Sequence, residues 1–346
     1  MAAASRALMY PYDISLLHMI MHKFPDFEII EVASPNGWGY VGKDAGSKIG
    51  IETGIIVKHE QEIEFNQIEK LFLMPSIISL DDKCFRTIID KAKSLNIEII
   101  DMRNNGNDVC LKRDDKLYGT EIKKIDKPVV LVIGTGDRTN KFDIQLIVRE
   151  CFQKKGYTVS QIGTKGYCEY LGFHSFPNFM YSNLQVTDRI LGFNHYIYEL
   201  SKSENADVII IGVPGGLMPY SEKYNNDFGY LNFMVSNAVV PDYVVLATTY
   251  VDYNRDYINA IVDSLRYKYE YDVDAVFIGN SSINWDVTES LDTLTYVTLD
   301  KNFIDEEVRK CNAYSVYDSD SIKQFSEQLI NTLVGRSEER RVGKEC

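Results

Sequence analysis

Short apolar runs alternate with helical patterns along the chain. In the first third, β-rich runs predict strands, and stretches with apolar residues three and four positions apart predict helices. The predicted strands are residues 7–10, 27–32, 68–74 and 97–102, and the predicted helices are residues 14–24 and 81–94. Strands separated by helices pair in parallel through crossover connections, so this region predicts an α/β domain.

The alternation begins again at VVLVI, residues 129–133, and continues nearly to the end of the chain. Unbroken apolar strands are typical of a parallel sheet that is covered on both faces by helices. The further predicted strands are residues 159–162, 208–211, 243–246 and 275–278, with possible edge strands at 296–299 and 314–316. The predicted helices with clear limits are residues 140–155, 303–310 and 321–333.

A polar stretch without periodicity, residues 104–127, separates the two alternating regions. We therefore predict an N-terminal Rossmann-like α/β domain over residues 1–103, a linker or surface excursion over 104–127, and a C-terminal parallel-sheet α/β domain over 128–335. Residues 336–346, RSEERRVGKEC, resemble a translated sequencing adapter, and we exclude them from the predicted fold.

The composition is that of a globular protein, with 45% hydrophobic and 25% charged residues in 346. A net charge of −13 argues against nucleic-acid and membrane partners. No run approaches the roughly 20 apolar residues of a membrane helix, and the first residues lack signal-peptide features, so we expect a cytoplasmic protein. The six cysteines are scattered without a CxxC pair, so we expect reduced thiols and no metal site.

The strongest chemical signal follows the strand at residues 129–133, where GTGDRTNK leads into a predicted helix. Unpaired N–H groups at a helix start attract anions, and a lysine there adds a full positive charge. The candidate ligand-binding residues in this turn are Gly134, Gly136, Asp137, Asn140 and Lys141.

This turn is a degenerate version of the phosphate loop, G-x-x-x-x-G-K-[ST]. When Lys141 is aligned with the consensus lysine, Thr135 and Asn140 replace the two glycines, and Phe142 replaces the hydroxyl residue that holds magnesium. ATP or GTP are possible cofactors, but magnesium is doubtful and hydrolysis is disfavoured. An alternative stays open, in which the glycines only permit a tight turn and Asp137, Thr139 or Asn140 caps the helix.

A second turn, GVPGG after the strand at 208–211, contributes Gly215 and Gly216 at the same predicted edge of the sheet. No Asp or Glu ends that strand, and a purely structural turn is an equal alternative. Between the two turns, Lys165 and His174 could bind an acidic group. The glycine pattern of residues 37–42 fits G-x-G-x-x-G, but more glycines follow where the dinucleotide motif requires a helix.

Five segments together resemble the clostridial-type peptide maturation system proteins over about residues 6–333. They are GWG at 37–39, GTGDRTNKF at 134–142, YTVSQIG at 157–163, LGFHSFPNFM at 171–180 and IIIGVPGG at 209–216. The resemblance implies an accessory role in natural product biosynthesis, with a precursor peptide and a peptide-modifying enzyme as partners. The second domain is also remotely similar to phosphate-loop NTPases of the dethiobiotin-synthetase kind, through Gly134, Gly136 and Lys141.

We therefore expect an accessory protein in the maturation of a ribosomally made peptide that binds a phosphate, nucleotide or carboxylate at the turn of residues 134–141. Two alternatives remain. The first is a peptide or enzyme escort with an inert loop, which would use tyrosine-rich helices near residues 250–271. The second is an ATP-dependent peptide ligase or kinase.

Overall fold

The computed structural model describes residues 4–76, 82–103, 120–252 and 255–342. The chain divides into two compact units, Met1–Gly106 and Asn107–Cys346. Most of the predicted linker, residues 104–119, lies outside the described residues, so the proposed domain limits stay a prediction. The predicted fold class is confirmed, because each unit is built on a wholly parallel sheet with helical connections.

The first unit contains a five-stranded parallel sheet in the order β3-β2-β1-β4-β5. Its strands are β1 (Ser5–Tyr10), β2 (Phe27–Ser34), β3 (Lys58–His59), β4 (Lys70–Leu73) and β5 (Glu98–Asp101), and its helices are α1 (His18–Met21) and α2 (Asp82–Ser94). The predicted helix over 14–24 is wrong in length, because a 3-10 turn at Ile14–Leu16 precedes the short α1. Residues 37–57 contain no helix except the 3-10 turn Ser47–Ile49.

The second unit contains a seven-stranded parallel sheet in the order β14-β11-β10-β6-β9-β7-β8, and a separate antiparallel pair, β12-β13. The strands are β6 (Val129–Gly134), β7 (Val159–Gly163), β8 (His174–Ser175), β9 (Val208–Gly212), β10 (Tyr243–Thr248), β11 (Val273–Ile278), β12 (Ser281–Ile283), β13 (Tyr296–Thr298) and β14 (Tyr314–Ser315). The helices are α3 (Lys141–Lys154), α4 (Val186–Ser203), α5 (Tyr230–Ala238), α6 (Arg255–Tyr269), α7 (Trp285–Leu291), α8 (Lys301–Cys311) and α9 (Ser319–Val342).

Alternate residues of the central strands point to opposite faces of this sheet, and both faces are buried. On one face Val130 and Val132 pack with α3 and α9, which contributes the fully buried Phe325. On the other face Leu131 and Ile133 pack with α4, α5 and α6. Burial on both sides is why the strands are apolar without interruption. Parallel pairing places their carboxyl ends at one edge of the sheet.

One prediction near the end of the chain needs correction, whereas the origin proposed for residues 336–346 stays a prediction. The predicted edge strand at 296–299 pairs with β12 as β13, because the chain makes a short antiparallel excursion between β11 and α8. The excluded tail begins inside α9, and Arg336 lies 2.6 Å from the Asp274 carboxylate. None of the described helices is both long and apolar enough to cross a bilayer.

Candidate anion-binding site

The loop of residues 134–141 connects β6, at the middle of the seven-stranded sheet, to α3. The Lys141 side chain folds back across Gly134, where an added Cβ would lie 2.6 Å from the lysine Cδ. The Thr139 hydroxyl lies on the same side, 2.7 Å from that position. Gly134 is therefore required by the return path of the lysine and not by its own backbone angles.

The loop presents backbone donors without acceptors. Within the described residues, no acceptor receives a hydrogen bond from the N–H of Gly136, Asp137, Arg138 or Asn140. Arg138 and Asn140 have left-handed backbone conformations, with φ of 55° and 57°. Turns of this kind direct successive N–H groups into a concave site for anions, and the start of α3 adds its partial positive charge.

Within the helix-cap alternative, the assignment of the cap to the Asn140 side chain is wrong. Asn140 occupies the capping position of α3, but its side chain makes no capping hydrogen bond. Its Oδ1 instead accepts the backbone N–H of Asn280, 3.1 Å away, and its amide donates to the hydroxyl of Tyr317. Asn140 therefore ties the loop to the residues after β11 and leaves the first turn of the helix available to a ligand.

Lys141 is buried, with 8% of its surface exposed, and its ammonium donates to the carbonyl oxygen of Gly215. Burial lowers the pKa of Lys141 to about 8, with the nearby Asp137 carboxylate opposing this shift and the Lys165 ammonium adding to it. A buried ammonium that faces a neutral carbonyl lacks full compensation for its lost hydration. Lys141 is therefore a strong candidate to hold an anion.

The second predicted turn lies against the first. Gly215 supplies the carbonyl that Lys141 contacts, and Gly216 is close enough to the loop that an added Cβ would lie 2.8 Å from the carbonyl oxygen of Thr135. Lys165, in the turn after β7, influences the same ammonium. The structure thus brings together the predicted residues Gly134, Gly136, Asp137, Asn140, Lys141, Gly215 and Gly216, whereas Lys165 acts on Lys141 only through its charge.

Tyr220 covers the loop. A Cβ added to Gly136 would lie 2.0 Å from the tyrosine hydroxyl, so a larger residue there would push the Tyr220 ring aside. The hydroxyls of Tyr220 and Thr135 are both buried and near each other, but neither makes a hydrogen bond of good geometry. Burial raises the pKa of Tyr220, so the hydroxyl is neutral and can donate.

The two positions that hold magnesium in phosphate-loop enzymes carry neither a hydroxyl nor a carboxylate here. Phe142 replaces the hydroxyl residue and packs against Phe173 and Tyr167, with ring centroids 6.2 and 6.1 Å away. At the end of β9, where those enzymes place an Asp, Gly212 faces Gln145, whose Oε1 lies 2.2 Å from the position of an added Cβ. A neutral amide therefore fills the space of the metal-binding carboxylate.

His174 does not join the loop. It lies on the edge strand β8, where its Nε2 pairs with the Glu204 carboxylate just after α4, and its ring meets Tyr196 edge-on. Glu169, on the same segment, accepts hydrogen bonds from the backbone and hydroxyl of Ser175. These groups organise the segment between β7 and α4, and no described contact connects His174 to Lys141.

Two residues of the site, Tyr220 and Gln145, are not among those predicted from the sequence. Tyr220 lies eight residues beyond β9 in an irregular segment, so no periodicity places it over the loop. Gln145 did carry a signal, because it lies one helical turn after Lys141 between apolar residues and is fully buried. A buried polar side chain at that spacing indicates that the helix meets a special feature of the sheet.

Fold and site define a two-unit parallel α/β protein with a candidate anion-binding loop after its central strand. No family model and no curated protein matches the chain. Among solved structures, a DUF1611 family protein from Anabaena variabilis has the same fold, with 11% identity, a TM-score of 0.57, and coverage of 96% of this chain and 99% of that one.

Two further solved structures match smaller parts of the chain. The first is the signal recognition particle receptor FtsY from Elizabethkingia anophelis, with 19% identity, a TM-score of 0.28, and coverage of 46% of this chain and 52% of that one. The second is the signal recognition particle 54 kDa protein from Aeropyrum pernix K1 in complex with GDP, with 13% identity, a TM-score of 0.27, and coverage of 59% of this chain and 43% of that one. These TM-scores are too low to bear on fold or function.

Proposed function

We propose that this protein binds a ligand with a phosphate or carboxylate group at the loop of residues 134–141, and that it does so without magnesium. The observation that supports the proposal is the buried ammonium of Lys141, which lies beside loop N–H groups without acceptors. Charge-assisted hydrogen bonds in a buried site are stronger than neutral ones. An anion there would replace the neutral Gly215 carbonyl as the partner of Lys141.

Binding is favoured over phosphoryl transfer. Transfer depends on metal ions that neutralise developing charge, and Phe142 and Gln145 occupy the places of the usual metal ligands. ATP, GTP and inorganic phosphate are therefore candidate ligands, and an ATP-dependent ligase or kinase is the weaker alternative.

A calorimetric titration tests this proposal. ATP, GTP, inorganic phosphate and acetate are titrated separately into the protein, in EDTA and in magnesium. We expect at least one of these anions to bind in EDTA with an affinity that magnesium does not increase. Absence of heat with every anion would contradict the proposal, and a strict magnesium requirement would contradict its metal-free form.

The finer proposal is an accessory role in the maturation of a ribosomally made peptide, with the precursor peptide and its modifying enzyme as partners. It rests on the sequence resemblance alone. A carboxylate of the peptide would be the natural ligand in that case. Co-purification of the protein with a precursor peptide from the same gene neighbourhood tests it, and loss of the complex in Lys141→Met is the expected result.

A second candidate function is an escort with an inert loop. The observation in its favour is that Gly215 and Tyr220 already cover the loop. Exposed tyrosines such as Tyr257 and Tyr267 would then contact the partner. Gel filtration distinguishes the two functions, because an escort retains the precursor peptide in Lys141→Met and loses it when the exposed tyrosines are replaced.

A further inference from the structure

Residues 215–229, which we call the strap, run from the turn after β9 to the start of α5. The strap meets the loop of residues 134–141 at three points. The Gly215 carbonyl accepts from Lys141, the Tyr220 hydroxyl lies over Gly136, and the Asn226 amide donates to the Thr135 carbonyl at 3.3 Å. The strap therefore occupies the side of the loop from which an anion would approach Lys141.

The polar groups at these contacts between strap and loop lack full hydrogen bonding. The hydroxyls of Tyr220 and Thr135 are buried and neither makes a hydrogen bond of good geometry, although Thr135, Thr249 and Asn226 are close enough to the Tyr220 hydroxyl to affect its pKa. The Lys141 ammonium has only a neutral carbonyl as its acceptor among the described contacts. Buried polar groups without full partners favour any ligand that supplies them, so an anion has an advantage over the strap.

The backbone of the strap is strained near its end. Asn226, Asp227 and Phe228 are three consecutive non-glycine residues with left-handed φ values of 47°, 50° and 54°. This conformation is unfavourable for residues with a Cβ, most of all for a bulky one. The segment is held in this shape by contacts of Asn226 with Thr135 and Met218 and by Lys268, which donates to the Phe228 carbonyl. Release of these contacts would relieve the strain.

We infer that the strap is an autoinhibitory cover of the anion-binding loop and that Tyr220 is its plug. An incoming anion takes the Lys141 ammonium from the Gly215 carbonyl and displaces Tyr220 from Gly136, and the strap opens. The inference rests on the proposed function, because it requires an anion at Lys141. The inference adds to that function that the observed ligand affinity depends on the equilibrium between closed and open strap as well as on the contacts of the loop.

Trp285 can report this opening. Its ring lies 6.5 Å from that of Tyr220 and 6.3 Å from that of Tyr224, both on the strap. The chain has two tryptophans, and the other is Trp38 in the first unit. In a Trp38→Phe protein, the fluorescence of Trp285 therefore follows the strap without a background signal.

The experiment titrates pyrophosphate in EDTA into the Trp38→Phe protein and into variants made from it, at equilibrium and by stopped flow. Tyr220→Leu removes the plug, and we expect about tenfold tighter and faster binding.

Phe228→Asn places a residue that tolerates the left-handed conformation in a position that is 65% exposed. It stabilises the closed strap, so we expect about fivefold weaker binding. Tyr267→Leu, at a tyrosine that is 86% exposed, is the matched control and changes neither value.

The possible results distinguish failure of the strap proposal from failure of the proposed anion site. Binding that appears only in Tyr220→Leu, or the expected opposite changes in the two strap variants, supports the cover. Binding that requires Lys141 but has equal affinity and rate in all strap variants overturns the cover and leaves the proposed function intact. Absence of binding in every protein, including Tyr220→Leu, overturns both.

Discussion

Two glycine-rich segments come after buried parallel strands in this protein, one after β2 and one after β6. In the first, Gly37, Gly39 and Gly42 have positive φ, and an added Cβ would meet nothing within 4 Å. In the second, Gly134 and Gly136 have no positive φ, and an added Cβ would collide with Lys141 or Tyr220. Glycine thus serves backbone conformation in one segment and close packing of functional side chains in the other.

The functional difference between the segments depends on the element that comes after the glycines. The segment after β2 continues through a 3-10 turn of three residues, Ser47–Ile49, and has no helix start that could attract an anion. The loop after β6 leads into the fourteen-residue helix α3, whose first turn lacks a side-chain cap. The same glycine spacing therefore has different meanings, and the presence of a helix decides between them.

The largest expected effect comes from the lysines of the two segments, each of which donates to a backbone carbonyl. Lys141 is buried against Gly215, whereas Lys43 is exposed and donates to Gly39 at 3.2 Å. Lys141→Met removes a charge-assisted bond and should weaken anion binding by roughly 10–100-fold. Lys43→Met is the matched control, and calorimetry should find its affinity unchanged. If Lys141→Met and Lys43→Met weakened anion binding equally, the two glycine-rich segments would not differ in anion binding.

The glycines themselves give the next largest effect. Gly134→Ala introduces a Cβ 2.6 Å from Lys141, and overpacking of this kind costs about 1–3 kcal/mol of unfolding free energy. Gly39→Ala has free space but must adopt a φ of 76°, at a cost of about 1 kcal/mol. Asparagine separates the two causes, because it tolerates the left-handed region but is larger than alanine. Urea unfolding should find Gly39→Asn milder than Gly39→Ala, and Gly134→Asn more severe than Gly134→Ala.

Much of this contrast could be predicted from the sequence, because it depends on local patterns. The apolar run at 129–133 and the helical pattern after it mark the loop, and the series of glycines up to Gly54 excludes a helix after β2. Tyr220 and the partners of Asn140 could not be predicted. Tyr220 lies 84 residues from Gly136, and Asn280 lies 140 residues from Asn140. Only the folded sheet brings the members of each pair together.

The titration of Lys141 gives a pH dependence of intermediate size. An anion binds the protonated ammonium, and burial lowers its pKa to about 8. Sulfate, whose charge does not change over this pH range, should bind equally at pH 6.5 and 7 and then weaken by up to tenfold per pH unit above about pH 8. Because the folded state holds this proton less tightly than the unfolded chain, stability without ligand should rise with pH in the same range. A profile in Lys141→Met identical to that of the unaltered protein would contradict this assignment.

The smallest effect concerns Asp44, which organises the segment after β2. Its carboxylate is partly desolvated, which raises the pKa, but hydrogen bonds from Thr53, Gly46 and Gly54 outweigh this and lower the pKa. Stability from Asp44 is therefore present above the ordinary pKa of an Asp and is lost as the pH falls through the lowered value. Asp44→Asn should cost about 1 kcal/mol in urea unfolding at pH 7 and should leave anion affinity unchanged.

The most direct test of the account follows the backbone amides of both segments by NMR while phosphate is added in EDTA to protein labelled with ¹⁵N. The loop amides of Gly136, Asp137 and Arg138 are expected to shift with a common saturation curve. Those of Gly37 and Gly39 are expected to stay in place. Shifts confined to other parts of the chain, or equal shifts in Lys141→Met, would contradict the claim that the loop after β6 binds anions.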